Sequence, residues 1–176
     1  FIFRHNKNIF MIPESLEAKR MEIYKSIKFP YKWKLIKIHF EGEMVCDPTI
    51  FKHKGSLWLF LNKSKKKFTD LNKKLYLYKL SKNLSKITPH KLNPIKNSSF
   101  GGRSAGNILR VNKKIIRPAQ IQQKNNYGYG LSFFQIIKLN LNQYKDKKIS
   151  RIIPNIFNNA KGIHHITSIK NETIID

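Results

Sequence analysis

Cysteine is almost absent from this sequence, in which Cys46 is the only one among 176 residues. A single cysteine excludes an intramolecular disulfide and a metal cluster built from several cysteines, and a reducing compartment is the simplest interpretation. The histidines lack the His-x-His or His-x-x-x-His spacing of a zinc site. Gly101-Gly102 is not followed by the Gly-Lys-Ser/Thr of a phosphate-binding loop. The sequence therefore predicts neither a bound metal nor a cofactor.

Long apolar runs are also missing. No segment approaches the ~18 apolar residues that cross a bilayer, and the first residues do not follow the order of a signal peptide. We expect no transmembrane segment and a cytoplasmic location, with a position at a membrane surface left open. The sequence begins at Phe1 rather than Met, and strand-like patterns run into both ends. We interpret residues 1–176 as a single partial domain of a longer protein.

Acidic residues are scarce: ten Asp and Glu stand against 35 Lys and Arg, which gives a formal net charge of +25. Such a balance suits phosphate backbones or anionic membranes. The excess consists of 29 lysines and only six arginines, and Lys, Ile and Asn together fill 71 positions. Arginine is the side chain that binds phosphate and guanine with paired hydrogen bonds. We therefore interpret the charge as a solvated lysine-rich surface, with a basic nucleic-acid-binding protein as a distant alternative.

Short alternations of apolar and polar residues recur along the whole chain and predict an all-β fold. Hairpin turns are predicted at residues 54–55, 112–113 and 171–172. Their spacing of about 58 residues suits four-stranded sheets repeated around an axis, as in a β-propeller. A β-sandwich is the alternative on periodicity alone. The rings expected to pack between sheets are Trp33, Trp58 and Tyr78.

Two acidic residues occupy positions suited to catalysis. Glu14 follows an apolar segment and Pro13, where a strand would end, and an acid that caps the next polar stretch is an equal alternative. Asp47 precedes Pro48, which favours an extended conformation at the head of a strand, with an Asx-turn as the alternative. Two carboxylates at the mouth of a propeller suit glycosidic chemistry. The acids expected at the surface are Glu17, Glu22, Glu41, Glu43, Asp70, Asp146 and Glu172.

Further polar side chains stand in apolar segments marked by Gly or Pro. Arginine, histidine and glutamine bind sugar hydroxyls, carboxylates or phosphates, and glycine lets a ligand approach the backbone. A structural role is the alternative for each of them. Adjacent histidines point to opposite faces of a strand, so at most one of His164 and His165 enters a given site. The candidate ligand-binding residues are His90, Arg103, Arg117, Gln120, Tyr127, His164 and His165.

Several short motifs follow one another along the chain: Met11-Ile12-Pro13-Glu14-Ser15, Phe29-Pro30-Tyr31-Lys32-Trp33, Asp47-Pro48-Thr49-Ile50, Gly102-Arg103-Ser104-Ala105-Gly106, Arg117-Pro118-Ala119-Gln120 and Gly162-Ile163-His164-His165. Their order resembles the N-terminal domain of plant glucosamine inositolphosphorylceramide transferase and its bacterial relatives. The resemblance covers the chain from about Met11 to Asp176. It implies a five-bladed β-propeller similar to those of glycoside hydrolase family 43, incomplete here, with about three to four blades.

The same resemblance implies an active site. In such propellers three acids from different blades surround the central funnel, and Glu14 and Asp47 would be two of them as catalytic residues. The third would belong to a blade before Phe1. The sequence departs from the family pattern at Ile87, where tryptophan is expected, at Ile121, where an acid is expected, and at Tyr144-Lys145-Asp146, which loosens a Tyr-acid pair.

These observations favour a carbohydrate-directed role. We expect part of a glycosyl-transferring enzyme of cell-surface glycan or glycolipid synthesis, similar to a glycosyltransferase or glycoside hydrolase if it is catalytic. A non-catalytic glycan-binding module that accompanies a transferase domain is the alternative. The expected ligand is a sugar, a sugar phosphate or a nucleotide sugar, and the candidate residues are expected to converge on one funnel.

Overall fold

The computed structural model describes residues 1–123, 126–156, 160–169 and 172–176, without the side chains of residues 126, 127 and 169. In these ranges the chain is almost entirely β-structure. The elements are β1 (Ile2–His5), β2 (Asn8–Met11), β3 (Met21–Lys28), β4 (Lys32–His39), β5 (Met44–His53), β6 (Ser56–Ser64), α1 (Phe68–Leu71), β7 (Lys74–Leu80), β8 (Ile87–Pro89), β9 (Lys96–Asn97), β10 (Phe100–Ser104), β11 (Leu109–Val111), β12 (Lys114–Gln123), β13 (Asn126–Leu139), β14 (Tyr144–Ile152), a 3-10 turn (Pro154–Ile156), β15 (Ile166–Ile169) and β16 (Glu172–Ile175).

The described strands form four antiparallel sheets that follow chain order. Sheet 1 has the order β1-β2-β3-β4, and sheet 2 has the order β5-β6-β7-β8 with β9 also paired to β7. Sheet 3 has the order β10-β12-β13-β14 with β11 also paired to β12, and sheet 4 consists of β15 and β16. Sequential antiparallel strands of this kind are the blades of a propeller.

Tight turns join the strands where the sequence predicts them. Lys54 and Gly55 have φ values of 46° and 72°, and Asn112 and Lys113 have φ values of 47° and 65°. Two consecutive residues with positive φ form the turn that matches the twist of a hairpin. The hairpin of sheet 4 is also present, because Ile166–Ile169 pairs with Glu172–Ile175, while residues 170–171 lie outside the described part of the chain.

Alternation along the strands of sheet 2 divides the core into layers. Leu57, Leu59 and Leu61 of β6 pack with buried residues of β2 and β3, so they face sheet 1. Trp58 and Phe60 pack with Leu75 and Leu77 and with Ile136 of β13, so they face sheet 3. A third cluster joins sheets 3 and 4. Because successive strand residues point to opposite faces, sheet 2 is covered on both sides.

This arrangement confirms the all-β propeller expectation over a sandwich of two sheets. Trp58 and Tyr78 are buried between sheets, as predicted. The prediction for Trp33 is wrong, because its ring lies at the β3–β4 turn against Phe29, with a centroid separation of 6.0 Å. Alternation alone could not show that β3 and β4 remain paired beyond the last residue pair of β2 and β3. Among the described residues, no helix has the length and apolar character needed to cross a membrane.

Candidate active site

A cleft of about 580 Å³ lies where the four sheets meet. The first strand of each sheet reaches it, so side chains distant in sequence converge there. It is lined by Phe1, Ile2, Glu14, Asp47, Pro48, Thr49, Arg103, Gly106, Asn107, Gln120, His164, His165 and Thr167. Six of the nine predicted site residues are in this set: Glu14, Asp47, Arg103, Gln120, His164 and His165.

Asp47 lies at an irregularity of β5 rather than in a regular strand. The β5–β6 register shifts between Cys46 and Thr49, and Asp47 has a φ of 49°. Such left-handed conformations are uncommon outside glycine and cluster at functional sites. The bulge leaves the Asp47 N–H free of the sheet, and it donates a 2.8 Å hydrogen bond to Oε2 of Glu14. The extended conformation expected from Pro48 is therefore wrong for Asp47, because the bulge turns the backbone at this residue.

Arg103 of β10 joins the two carboxylates. Its Nε contacts Oδ2 of Asp47 directly, and its Nη2 lies 3.9 Å from Oε1 of Glu14. A third contact runs from Nη1 to Oδ1 of Asn72, next to α1, at 3.2 Å. The Arg103 side chain is 5% exposed, whereas that of Glu14 is 40% exposed. The guanidinium is therefore fixed in the floor of the cleft, and Glu14 faces solvent.

The environment of Asp47 gives its carboxyl an unusual acidity. Burial raises its pKa from 3.8 to about 6, against the opposing effect of the Arg103 charge and with a smaller raising effect of Glu14. Removing a carboxylate from water disfavours its charged form, and here this effect exceeds the attraction of one arginine. Asp47 can therefore exchange a proton close to neutral pH.

Uncharged hydrogen-bonding groups line the rest of the cleft. Thr49 Oγ1 donates to the backbone oxygen of Asp47 at 3.2 Å, and Asn107 Nδ2 donates to Thr167 Oγ1 at 2.8 Å. Gln120 is buried, and its Oε1 accepts a 3.0 Å hydrogen bond from Gln122. Thr49, Asn107 and Thr167 were not among the predicted site residues. The positions of Thr49 beside Asp47 and of Asn107 beside Gly106 were the available signals.

Both adjacent histidines reach the cleft, although at most one was expected. His164 and His165 precede β15 and lie outside a regular strand, so the opposite-face rule does not apply to them. Nδ1 of His164 lies 3.5 Å from a carboxylate oxygen of Asp176. Burial and the neighbouring His164 lower the pKa of His165, while Asp176 and Glu14 act in the opposite direction. His165 is therefore neutral at neutral pH.

Arg117 does not line the cleft, and the prediction that it binds ligand there is wrong. It lies inside sheet 3, where its Nη2 donates to Oδ2 of Asp146 at 3.0 Å and its Nε donates to Tyr144 at 3.2 Å. Lys96 binds the other oxygen of Asp146 at 2.9 Å. The side chains of Arg117 and Asp146 are 1% and 5% exposed. Asp146, expected at the surface, is therefore the centre of a buried ion cluster.

His90 is also placed elsewhere, which corrects its assignment to the funnel. It is buried beyond β8, where its Nδ1 accepts a 3.0 Å hydrogen bond from the Leu92 N–H. Burial lowers its pKa, and the backbone of Gln143 and Asn140 acts against that effect. Its neighbourhood joins sheet 2 to the β13–β14 turn rather than to the cleft. The predicted side chain of Tyr127 lies outside the described residues.

Metal and thiol chemistry find little support in the described part of the chain. No group of three or more His, Cys, Asp or Glu residues with the geometry of a metal site occurs there. Cys46 is buried beside Asp47, and burial raises the pKa of its thiol well above the usual range. A thiol in that state is a poor nucleophile.

The fold and the cleft define a class of protein, a partial five-bladed-type β-propeller with an acid-and-arginine centre. Two solved structures share the fold. The exo-β-1,3-galactanase of Phanerochaete chrysosporium, solved with β-1,3-galactotriose, matches with a TM-score of 0.53 and 13% identity over 84% of this chain and 34% of its own. The α-L-arabinanase of Penicillium chrysogenum, solved with arabinobiose, matches with a TM-score of 0.54 and 10% identity over all of this chain and 60% of its own.

Sequence comparison identifies the family. The chain belongs to the family described as glucosamine inositolphosphorylceramide transferase 1, N-terminal, which it matches over residues 1–172. Glucosamine inositolphosphorylceramide transferase 1 of Arabidopsis thaliana is 31% identical over 151 residues, and that of Oryza sativa subsp. japonica is 28% identical over 152 residues. Each match covers 85% of this chain and 20% of the relative, so the chain spans about a fifth of their length.

Proposed function

We propose that this chain is the carbohydrate-directed propeller of a glycosyl-transferring enzyme of cell-surface glycan or glycolipid synthesis, and that its cleft holds the sugar. One observation carries the proposal. Glu14, in the segment after β2, and Asp47 of β5 both lie against the guanidinium of Arg103 in an open cleft. The names of the plant relatives and the sugars bound to the two structural neighbours also support a carbohydrate-directed function.

The carboxylates suit glycosidic chemistry in placement and in protonation. Glu14 and Asp47 both contact the guanidinium of Arg103, and Glu14 accepts the Asp47 N–H, so the two carboxylates are placed to act on one sugar, as the carboxylates of a glycosidase do. Asp47, with a pKa of about 6, is suited to give a proton to a leaving oxygen or to take one from an acceptor hydroxyl. Glu14, which faces solvent, is suited to stabilise the positive charge that develops on the sugar.

The remaining lining favours a polar sugar with an anionic substituent. Thr49, Asn107 and Gln120 offer hydroxyl and amide groups of the kind that bind sugar hydroxyls. Arg103 and His164 add basic groups beside them. A sugar phosphate or nucleotide sugar fits this combination, since arginine binds phosphate well. A companion transferase domain in a longer protein is part of the proposal, because the relatives are about five times longer than the matched segment.

A second candidate function is a non-catalytic module that binds glycan and presents it to a transferase domain. The direct contact between Asp47 and Arg103 favours it, because a carboxylate engaged in an ion pair is less available for proton transfer. In this function the acids and Arg103 would hold sugar hydroxyls without breaking a bond. The two candidates differ in what the loss of a carboxylate does to binding and to turnover.

The test uses Glu14→Gln and Asp47→Asn, which keep the shape of each side chain. Glucosamine, myo-inositol 1-phosphate, galactotriose and arabinobiose serve as binding probes in calorimetry, and nitrophenyl glycosides serve as reaction probes. An enzyme is expected to lose about 100-fold or more in turnover in each variant while sugar binding changes little. A binding module is expected to show no turnover and to lose binding in both variants.

Glu17→Gln is the matched control, because it removes an exposed carboxylate from the same segment without touching the cleft. It is expected to behave as the unchanged protein in both assays. Absence of binding to every probe, together with absence of turnover, would refute the carbohydrate-directed function. Unchanged binding and unchanged turnover in the Glu14 and Asp47 variants would refute the assignment of this cleft.

A further inference from the structure

Pairing within the β3–β4 hairpin continues beyond the last residue pair that joins β3 to β2. The β2–β3 register ends at the pair Phe10 and Lys25, while β3 and β4 continue to pair up to Lys28 and Lys32. Residues 26–33 are therefore held by pairing between β3 and β4 and lie beyond the last residue pair of β2 with β3. We refer to residues 27–33 as the hairpin tip.

The hairpin tip exposes large apolar side chains. Ile27, Phe29 and Tyr31 have exposures of 56%, 51% and 84%. Trp33 packs edge-on against Phe29 with a centroid separation of 6.0 Å, and its indole N–H donates to the backbone oxygen of Pro30 at 2.7 Å. Apolar side chains gathered on one turn mark an interaction surface more often than single exposed residues do.

Lysines surround these rings, and no acid is interspersed. Between Glu22 and Glu41 the sequence contains five lysines and no Asp or Glu. Two lysine pairs stand directly opposite each other across the strands, Lys25 with Lys34 and Lys28 with Lys32. Like charges in cross-strand pairs repel each other and destabilise an isolated hairpin. An anionic partner would remove this repulsion, so the charge pattern indicates that the partner of this surface is anionic.

We infer that the hairpin tip docks on an anionic lipid bilayer, with its rings at the headgroup level and its lysines on lipid phosphates and carboxylates. Tryptophan and tyrosine prefer the membrane interface, and lysines beside them add attraction to anionic lipids. A bilayer also accommodates both features at once, whereas a protein partner would need a matching acidic and apolar surface. The net charge of +25 strengthens the long-range attraction.

The docking surface lies at the opposite end of the strands from the cleft. β2 runs toward Glu14, β3 starts on that side at Met21, and β3 then runs away from it to the hairpin tip. β5 starts at the Glu14 end, which is why Asp47 is also found there. A molecule docked through the hairpin tip therefore presents the cleft away from the bilayer, where a soluble sugar ligand or a companion domain has access.

Trp33 provides an intrinsic probe, since the only other tryptophan, Trp58, is buried at 4% exposure. Trp58→Phe leaves Trp33 as the sole tryptophan and keeps an aromatic ring in the core. Vesicles of pure phosphatidylcholine and of phosphatidylcholine with about one-third phosphatidylserine are added, and the Trp33 emission maximum and vesicle co-sedimentation are followed. A blue shift and co-sedimentation are expected with the anionic vesicles only, and both are expected to weaken as salt is raised.

Two tip variants test which groups carry the binding. Phe29→Ser/Tyr31→Ser is expected to weaken vesicle binding about tenfold or more, because binding scales with buried apolar area. Lys28→Gln/Lys32→Gln is expected to weaken it by a similar factor, at about 1 kcal/mol per lysine. The matched controls, Val111→Ser and Lys113→Gln/Lys114→Gln at the exposed β11–β12 turn, are expected to bind as the unchanged protein.

The outcomes separate this proposal from its competitors. Co-sedimentation without a blue shift, or equal loss in the Lys113/Lys114 control, would overturn the docking site in favour of diffuse attraction by scattered lysines. Absence of binding to anionic vesicles would overturn the proposal altogether. Burial of Trp33 through self-association without lipid would assign the hairpin tip to a protein partner. If the Trp58→Phe variant does not fold, acrylamide quenching of the unchanged protein reports mainly on half-buried Trp33, because Trp58 is buried.

Discussion

The raised pKa of Asp47 predicts a specific pH dependence of stability. An acid whose pKa is higher in the folded state than in the unfolded state binds its proton more tightly when folded. Its contribution is therefore fully present below the unfolded pKa and is lost as pH rises through the folded pKa. For Asp47 these values are 3.8 and about 6, and their difference corresponds to about 3 kcal/mol. Asp47→Asn removes the titration while leaving an amide of the same shape.

The measurement is urea unfolding of the unchanged protein and of Asp47→Asn from about pH 3.5 to about pH 7, followed by tryptophan fluorescence, to which buried Trp58 contributes. Taking the difference between the two proteins at each pH cancels the contribution of the other titrating groups to the free energy of unfolding. The free energy of unfolding of the unchanged protein, relative to the variant, is expected to fall by about 3 kcal/mol over this range. Glu17→Gln, the exposed control, is expected to differ from the unchanged protein by less than about 0.5 kcal/mol.

A relative stability that does not vary with pH would refute the reasoning. A relative stability that rises with pH would mean that the attraction of Arg103 exceeds the cost of burial. Asp47 would then be a structural ion-pair partner that stays ionised near neutral pH, and its role in proton transfer would be excluded.

Two further variants test the placement of residues away from the cleft. Arg117→Leu leaves the buried carboxylate of Asp146 without its main partner, so the free energy of unfolding measured in urea is expected to fall by about 3–5 kcal/mol. The folded fraction is expected to retain sugar binding. A loss as small as that of the exposed control Lys145→Ala would contradict the buried ion cluster. Gly102→Ala places a methyl group onto two backbone carbonyl oxygens and is expected to cost about 1–3 kcal/mol or more. Gly42 has a φ of 80°, but an added methyl group there would contact no atom within 4 Å, so Gly42→Ala is expected to lower stability by about 1 kcal/mol. An equal loss of stability in the Gly102 and Gly42 variants would exclude the steric explanation.

Local rules predicted most of the fold. Alternation identified the β-class and placed Leu75 and Leu77 on one face of β7 with Tyr76 and Tyr78 on the other, as the core clusters confirm. Turn residues located the hairpins, because the conformation of a tight turn is determined by the few residues that form it. Trp33 was misplaced because strand periodicity carries no information about how far the pairing of a hairpin continues beyond its neighbouring strand.

The candidate site was predicted less completely, because convergence depends on how sheets pack. Glu14, Asp47 and Arg103 meet although they are far apart in sequence, and the motif resemblance was the signal that linked them. Arg117 and Gln120 show what the residues alone could have revealed. They are three positions apart in the regular part of β12, so their side chains point to opposite faces, and one cleft cannot hold both.

The buried pairs Asp47–Arg103 and Asp146–Arg117 have opposite electrostatics, and the difference indicates where proton transfer belongs. Asp146 is desolvated like Asp47, but Arg117 and Lys96 hold its pKa below the usual range. Asp47 has one arginine and a neighbouring carboxylate, so burial raises its pKa to about 6.

Glu14→Gln isolates the role of that neighbouring carboxylate. The amide oxygen can still accept the Asp47 N–H, so the hydrogen bond is kept while the charge is removed. The pKa of Asp47 is expected to fall, because Glu14 no longer disfavours its ionisation. Carboxyl NMR titration of the variant and the unchanged protein measures the change, with Glu17→Gln as the control that leaves the Asp47 titration in place. An Asp47 pKa that is unchanged in Glu14→Gln would mean that the two carboxylates do not act as a pair, and the cleft would lose the coupling on which its acid chemistry depends.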